Sequence, residues 1–596
     1  MALRVRRNAC PDIEVVANAR KQLESEVAKH VDAIIDLKGR MNALVPISKL
    51  PPEILSAIFT EVAIKHYTGR PSRPCYGAAT LPYKWITLTH VSRSWRTIAL
   101  NTPRFWSRIV LSRPDLTREI LARSKNAPLW VTANMSYVDE PQRALLDTIM
   151  KESSRLKELS IAGPARVLEN LYPRWTGQAN VLESLSLSDN NVFDSVRIPI
   201  LHEHPSVPVL FQGITPNLRR LTIHHIAVGW DNPIFCSTLT SLTVVFKRDN
   251  ISDRGYFGQL MRALANMSAL ESLELNEGVP PLKDPRNLLA SVRRVTLPNL
   301  RKLSLISDAL NCADFLRFVT LPPNTHLLVT GRTPERGAEE LVRAFSQHLA
   351  RSKPLLTARL APVNSAQVYV RGWWTFLEGD IVDRSLPAPD VELYLDALPH
   401  SRVMEHLMTR ATFLARVRRL EIQPSFSPWD WHGLFTRAPE LRVLSVSGHP
   451  EGEFLAALSK VQREDGEQQP QSGQGQGRRI LSPELHTVQM SGVRFGCAHS
   501  DHAPAYLEEM VDWLMLRCNE GAPIATLELR ECINAGARDL NRLREVVADV
   551  VWDGQETWEE EQGEQGTPDE DMYYDDGFFP GYYNHDDTDD YWIIPF

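Results

Sequence analysis

The chain has 596 residues, with 66 Lys and Arg against 73 Asp and Glu, a formal charge of -7, 43% hydrophobic residues and 7 cysteines. At roughly 150 residues per domain this length holds about four compact domains, or one repetitive array carrying a smaller module. Ordinary apolar content excludes a wholly disordered or collagen-like chain, and no run of about 18 uninterrupted apolar residues is present to span a bilayer, so a soluble protein is expected.

Met1 to Arg7 is basic but is followed by polar and acidic positions (Asn8, Asp12, Glu14), not by the apolar stretch of a secretory signal. The cysteines, scattered from Cys10 to Cys532, give no disulfide framework, and a reducing compartment, cytoplasmic and/or nuclear, is expected. Sequons at Asn134, Asn250 and Asn266 matter only in the secretory route and are discounted. About fifteen acidic residues and no Lys or Arg lie between Asp553 and Asp590, which leaves the rest of the chain at about +8. No dense Lys/Arg block with interleaved aromatics is present, so no nucleic-acid partner is expected, and no membrane partner either.

The first predicted element is a helix over residues 1–44. Val16, Leu23, His30, Leu37 and Leu44 form one heptad row, and Arg20, Val27, Ile34 and Met41 the other. His30 and Arg20 interrupt the seam, so a helix packed on the next domain is preferred over a dimerising coiled coil. Pro46 ends it.

In VPISKLPPEILSAIF, Leu50-Pro51-Pro52-Glu53 opens a second helix with Ile54, Leu55, Ile58, Phe59 and Val62 on one face. Prolines suit a helix start, where the missing N–H groups have no partner anyway, and an early Glu complements the dipole. A Pro- and Gly-rich loop from about His66 to Pro82 follows. A second amphipathic segment then carries Val91, Trp95, Ile98 and Leu100 at helical spacing; Pro103 stops it before Phe105 and Trp106.

The ordered set LPPEIL…IF, THVSRSWRTIAL and TPRFW resembles an F-box, of the F-box-like sort abundant in fungal proteins that begin with a short heptad helix. The resemblance spans Val45 to about Ser107 within an expected domain at 45–112. It implies a small all-α module that docks on the Skp adaptor, which bridges to a cullin-RING ubiquitin ligase. The adaptor-binding residues it implies are Leu50, Pro51, Pro52, Glu53, Ile54, Leu55, Ile58, Phe59, Val91, Trp95 and Trp106. Which of them form the docking ridge and which the module's core is left open. The loop from His66 to Lys84 is longer than in the compact form of the family, an insertion that is cheap in free energy.

After a connection and first turn at 113–150, a short theme recurs: two Leu-like residues three apart, and a third two further on. Copies are Leu156/Leu159/Ile161, Leu182/Leu185/Leu187, Leu218/Leu221/Ile223, Leu239/Leu242/Val244, Leu270/Leu273/Leu275 and Leu300/Leu303/Leu305. Later copies are Val417/Leu420/Ile422, Leu441/Leu444/Val446, Leu485/Val488/Met490 and Ile524/Leu527/Leu529. This resembles the strand core of leucine-rich repeats, in which alternate residues point inward and neighbouring strands stack in parallel. The best copy, LESLSLSDNNV, adds Asn190 and Val192. The predicted fold class is therefore α/β: an N-terminal helix and F-box-like module, then an irregular solenoid over 151–552 with parallel strands and helices or loops on its outer face. Between about Gly331 and Val391 the theme is obscure, although VELYL at Val391 to Leu395 reads as another strand. Polar residues such as Ser184, Arg219, Arg220, Thr222, His224, Ser272, Arg301, Lys302 and Ser304 fall on or beside the strands.

Two segments lie outside the repeats. Residues 463–480 are low-complexity and read as a disordered insertion. The acidic, aromatic tail at 553–596 reads as a solvated end, a cap over the last repeat, or a partner motif.

Cys497, His499, Asp501 and His502 lack paired zinc-knuckle spacing, and His202/His204 and His224/His225 read as loop or strand histidines; no metal or other cofactor is expected. No nucleophile elbow, zincin helix or dinucleotide fingerprint is present. The expected function is a non-catalytic substrate receptor of a Skp-cullin-F-box ligase, holding an unknown target protein on the repeats. The alternative is an interaction scaffold without ubiquitin transfer.

Overall fold

The computed structural model describes residues 13–67, 83–111, 113–135, 140–190, 207–247, 255–282, 293–332, 335–364, 367–377, 387–396, 412–423, 431–450, 454–459, 461–462, 479–495 and 505–558. The His66–Pro82 loop beyond Tyr67, Val192, Asn250, the His202/His204 and Cys497–His502 groups, the body of the low-complexity insertion and the tail from 559 onward lie outside them.

The N-terminal part is helical. Helix α1 spans Ile13–Leu44 and leads through a 3-10 turn at Pro46–Lys49 into α2, Pro52–Tyr67. Ile54 and Leu55 donate their N–H groups to Pro51 O, so the prolines sit at the helix start, where an N–H would have no upstream carbonyl to bond. A 3-10 segment at Lys84–His90 precedes α3, Arg93–Leu100; Ser92 caps α3 by accepting from Trp95 N at 3.1 Å. A last 3-10 turn, Pro103–Trp106, reaches the first strand. The expected packing of α1 on the next domain is corrected: both apolar rows are exposed, and the helix's main contact is the adjoining turn.

Among the described residues seventeen strands form one sheet. The first nine are β1 (Arg108–Val110), β2 (Leu129–Asn134), β3 (Leu156–Ala162), β4 (Ser184–Ser188), β5 (Arg220–His224), β6 (Ser241–Val245), β7 (Ser272–Asn276), β8 (Lys302–Asp308) and β9 (His326–Arg332). Each lies parallel to its sequence neighbour. The remaining eight are β10 (Thr357–Asn364), β11 (Gln367–Trp373), β12 (Val391–Asp396), β13 (Arg419–Ile422), β14 (Val443–Ser447), β15 (Thr487–Ser491), β16 (Thr526–Arg530) and β17 (Asp549–Trp552). From β13 to β17 the parallel advance resumes.

The recurring triplets are what the sheet buries. In register, Leu159, Leu185, Leu221, Leu242, Leu273, Leu303 and Leu327 form one unbroken ladder. Every residue of the ten triplets is buried. Before most of these strands the first member closes a tight turn, as where Leu218 N donates to Thr215 O and Leu270 N to Met267 O. One carbonyl of the preceding rung then takes two donors: Arg219 O accepts from Thr240 and Ser241, Glu271 O from Arg301 and Lys302. Side chains repeat the device, with Asn217 Nδ2 on Asn180 O and Asn299 Nδ2 on Ser268 O. A parallel sheet lacks hairpins, so these turns stand in for them in satisfying the backbone.

The obscure stretch has a physical explanation. Strand order across it is β9–β12–β11–β10–β13, and β11 alone runs antiparallel to its neighbours. VELYL is a strand, β12, lying between β9 and β11, so β10 pairs not with β9, the strand before it in sequence, but with β11 and β13. A repeat signal depends on each unit packing on the previous one, and here it does not.

Three expected boundaries shift. The sheet begins at Arg108, inside the domain expected at 45–112 and ahead of the expected first turn at 113–150. Arg479–Ile480, assigned to the insertion, pair antiparallel with Val461–Gln462. The start of the tail is docked: Asp553 Oδ2 accepts from Glu531 N at 2.6 Å, and Asn534 N donates to Thr557 O at 2.8 Å.

Candidate adaptor-docking module

The module closes on an aromatic core. Trp85 meets Phe105 edge-on at 4.4 Å between centroids and Trp106 at 5.5 Å, while Phe59 lies 6.0 Å from Phe105 and 4.9 Å from Trp95. Tilted and T-shaped pairs of this kind add to simple area burial. The one polar atom of Trp106 is satisfied inside: Nε1 donates to Ala99 O at 2.8 Å. Tyr83, Trp85 and Phe105 were absent from the expected set. Their signal was the density of aromatics on either side of α3.

Burial divides the expected docking residues. Leu55, Phe59 and Trp106, at 3%, 0% and 1% exposure, are core and have no surface for a partner, so their expected role in docking is corrected. Trp95 is half-buried, one face on Phe59. Leu50, Pro51, Pro52, Glu53, Ile54, Ile58 and Val91 are all exposed, Ile54 and Val91 at 48% and 55%. Ile54 and Ile58 share one side of α2 at four-residue spacing, while Leu55 and Phe59, one position on, line the adjacent, inward side. Val45 and Ile47 add two exposed apolar side chains ahead of Leu50.

Residues 47–112 match the F-box-like family model. No curated protein matches the chain in sequence. The F-box-like domain thus comprises α2, α3, the aromatic core and β1, and its final strand is also the first strand of the sheet.

That shared strand welds the domain to the sheet. Tyr83 Oη donates to Val110 O and accepts from Val110 N at 2.8 Å. Tyr67 Oη lies 2.7 Å from Thr132 Oγ1 in β2, and the Arg108 guanidinium stacks over both Tyr67 and Trp130, at 5.1 and 4.5 Å. Burial pushes the Tyr67 hydroxyl up to about 12 and lowers the Arg108 guanidinium from its usual value. From Pro114–Ser124, helix α4, Arg123 covers the Trp106 ring at 4.5 Å.

A second patch lies on the pleat opposite the buried leucines, where the strand order inverts. Arg371 in β11 donates to Glu392 Oε2 at 3.0 Å and to Tyr394 Oη at 2.6 Å, with its guanidinium over the Tyr369 ring at 4.6 Å. Next to it Arg359 Nε is 3.6 Å from Glu421 Oε1, and Arg419 donates to Gln489 Oε1 at 2.8 Å. Ser184, Thr222, His224 and Ser272 share this pleat further back along the sheet, with Ser304 there but buried. Burial lowers the His224 and His225 imidazoles. Among the described residues no group of three His, Cys, Asp or Glu converges as a metal site, and no helix is long and apolar enough to cross a membrane.

Proposed function

We propose that the chain is a non-catalytic receptor subunit of a Skp-cullin-F-box ubiquitin ligase. Its F-box-like domain docks the Skp adaptor through Leu50, Pro51, Ile54, Ile58 and Val91, and its leucine-rich-repeat-like sheet, an irregular solenoid, carries a target protein. The observation that carries this reading is the pairing of a closed aromatic core with an uncovered apolar row on α2 inside the matched domain. A desolvating apolar ridge held in shape by prolines supplies binding energy at low entropic cost. Arg371 and Tyr394, which stay part-exposed over the buried Tyr369, are the favoured target contact, because Arg and Tyr are enriched in binding hot spots. Holding target and ligase on one rigid body raises the effective concentration of the target at the transfer site. Such work suits a cytoplasmic or nuclear protein.

Affinity purification of the full chain tests the proposal. The Skp adaptor and cullin co-purify, and Leu50→Ala with Pro51→Ala reduces their recovery at least tenfold without loss of folded protein. Unchanged recovery from that double variant overturns the docking assignment, while recovery of adaptor without cullin favours a scaffold that transfers no ubiquitin.

A further inference from the structure

Helix α1 presents two apolar rows that the rest of the chain leaves uncovered. Leu23, Val27, Ile34, Leu37, Met41 and Leu44 are each more than half exposed, too much apolar surface on one stripe to leave wet. Their alternation of four and three residues is that of a coiled-coil seam: Arg20, Val27, Ile34 and Met41 at a, and Val16, Leu23, His30, Leu37 and Leu44 at d. The flanking charges are Glu24 and Lys38 at e, and Glu26 and Arg40 at g.

These charges choose among arrangements. In a parallel, in-register pair Arg20 stacks on Arg20 and His30 on His30, Glu26 faces Val31, and Lys38 faces Ala33, so like charges meet in the seam and no flanking charge finds an opposite. Run antiparallel with the two-fold axis at Asp32, the same helices place Val27 on Leu37, Ile34 on His30, Met41 on Leu23 and Arg20 on Leu44. Glu24 then faces Lys38 and Glu26 faces Arg40 on both flanks, while Ala33 meets Ala33 and Val31 meets Val31 at the centre. Sliding by one heptad in either direction removes all four charge pairs. Arg20, already bonded to Glu24 at 3.0 Å, falls at the end of the overlap where its head reaches water.

We propose that α1 pairs with α1 of a second copy of this chain as an antiparallel two-stranded coiled coil, making the protein a dimer with an F-box-like domain at each end of the pair. The overlap from Arg20 to Leu44 is about 37 Å long at 1.5 Å per residue. Partner choice is set by the flanking charges, which reward one register and penalise the parallel alternative.

The test is the mass of the full chain in solution by light scattering. Twice the 67.5 kDa chain mass is expected in the micromolar range. Glu24→Lys with Glu26→Arg makes every flank like-charged and should give monomer, and adding Lys38→Glu with Arg40→Glu should restore the dimer. Zero-length carbodiimide cross-linking then reads the orientation. Glu24 and Lys38 are fourteen residues apart on one helix, about 21 Å, too far to cross-link within a chain, so a Glu24–Lys38 cross-link reports antiparallel pairing between copies. A monomeric wild type, a dimer indifferent to the charge reversals, or a dimer lacking that cross-link overturns the proposal.

Discussion

The hydroxyl of Tyr67, at the end of α2, lies 2.7 Å from the Thr132 hydroxyl in β2, tying the F-box-like domain directly to the sheet. Tyr67→Phe removes that bond and should cost about 1 kcal/mol. Because burial raises the folded-state hydroxyl to about 12 from 10.0, its contribution is complete below pH 10 and is lost as the pH rises towards 12. Denaturant titrations of wild type and Tyr67→Phe across that range check this: the difference between the two should shrink with rising pH.

Neighbouring residues of α2 should respond in opposite ways. Ile54→Asp leaves the fold within about 0.5 kcal/mol, as exposed substitutions do, but abolishes recovery of the Skp adaptor. Leu55→Ala, cutting into the buried core, costs about 2–5 kcal/mol. Thermal melts alongside pull-downs separate the two, and a stable Leu55→Ala protein would contradict the packing described.

Arg517, in the Ala505–Asn519 helix, is a fully buried cation held by carbonyls. It donates to Ala522 O, Leu481 O, Ser482 O and Leu485 O at 3.1–3.2 Å, stitching the turns before β15 and β16, and burial lowers it to about 10. Removing the fork strands several acceptors at once, so Arg517→Leu should cost more than about 3 kcal/mol. Arg517→Lys should rescue little, since an ammonium cannot span a planar fork's partners. Urea unfolding followed by Trp fluorescence measures both.

The imidazole of His348, in the Glu335–Leu349 helix, is pushed down to about 4 by burial, with Arg351 adding to the effect. A depressed folded value means the stability is present above the ordinary 6.5 and is lost as the pH falls through 4. The melting temperature should fall across that window, and His348→Gln should flatten the fall. An identical acid profile in the variant would remove His348 from the account.

The ten triplets were legible because each obeys the same rule: apolar, with its last two members alternating along the strand. Thr357 to Trp373 was not, since β10 carries Pro362 and a register shift, and β11 alternates Tyr369 and Arg371 with apolar residues as any half-exposed antiparallel strand does. The helical period of α2 was also legible, but Ile54 and Leu55 are equally apolar, and only the placement of Trp85 and Phe105 decides which one faces inward.

The inverted order β9–β12–β11–β10–β13 has a consequence for how such a sheet can grow. Since β11 opposes both neighbours, β12 and β10 point the same way, and so do β9 and β13. The three strands are a splice: lifting them out brings together two edges already running in step, and no strand has to be turned over to close the seam.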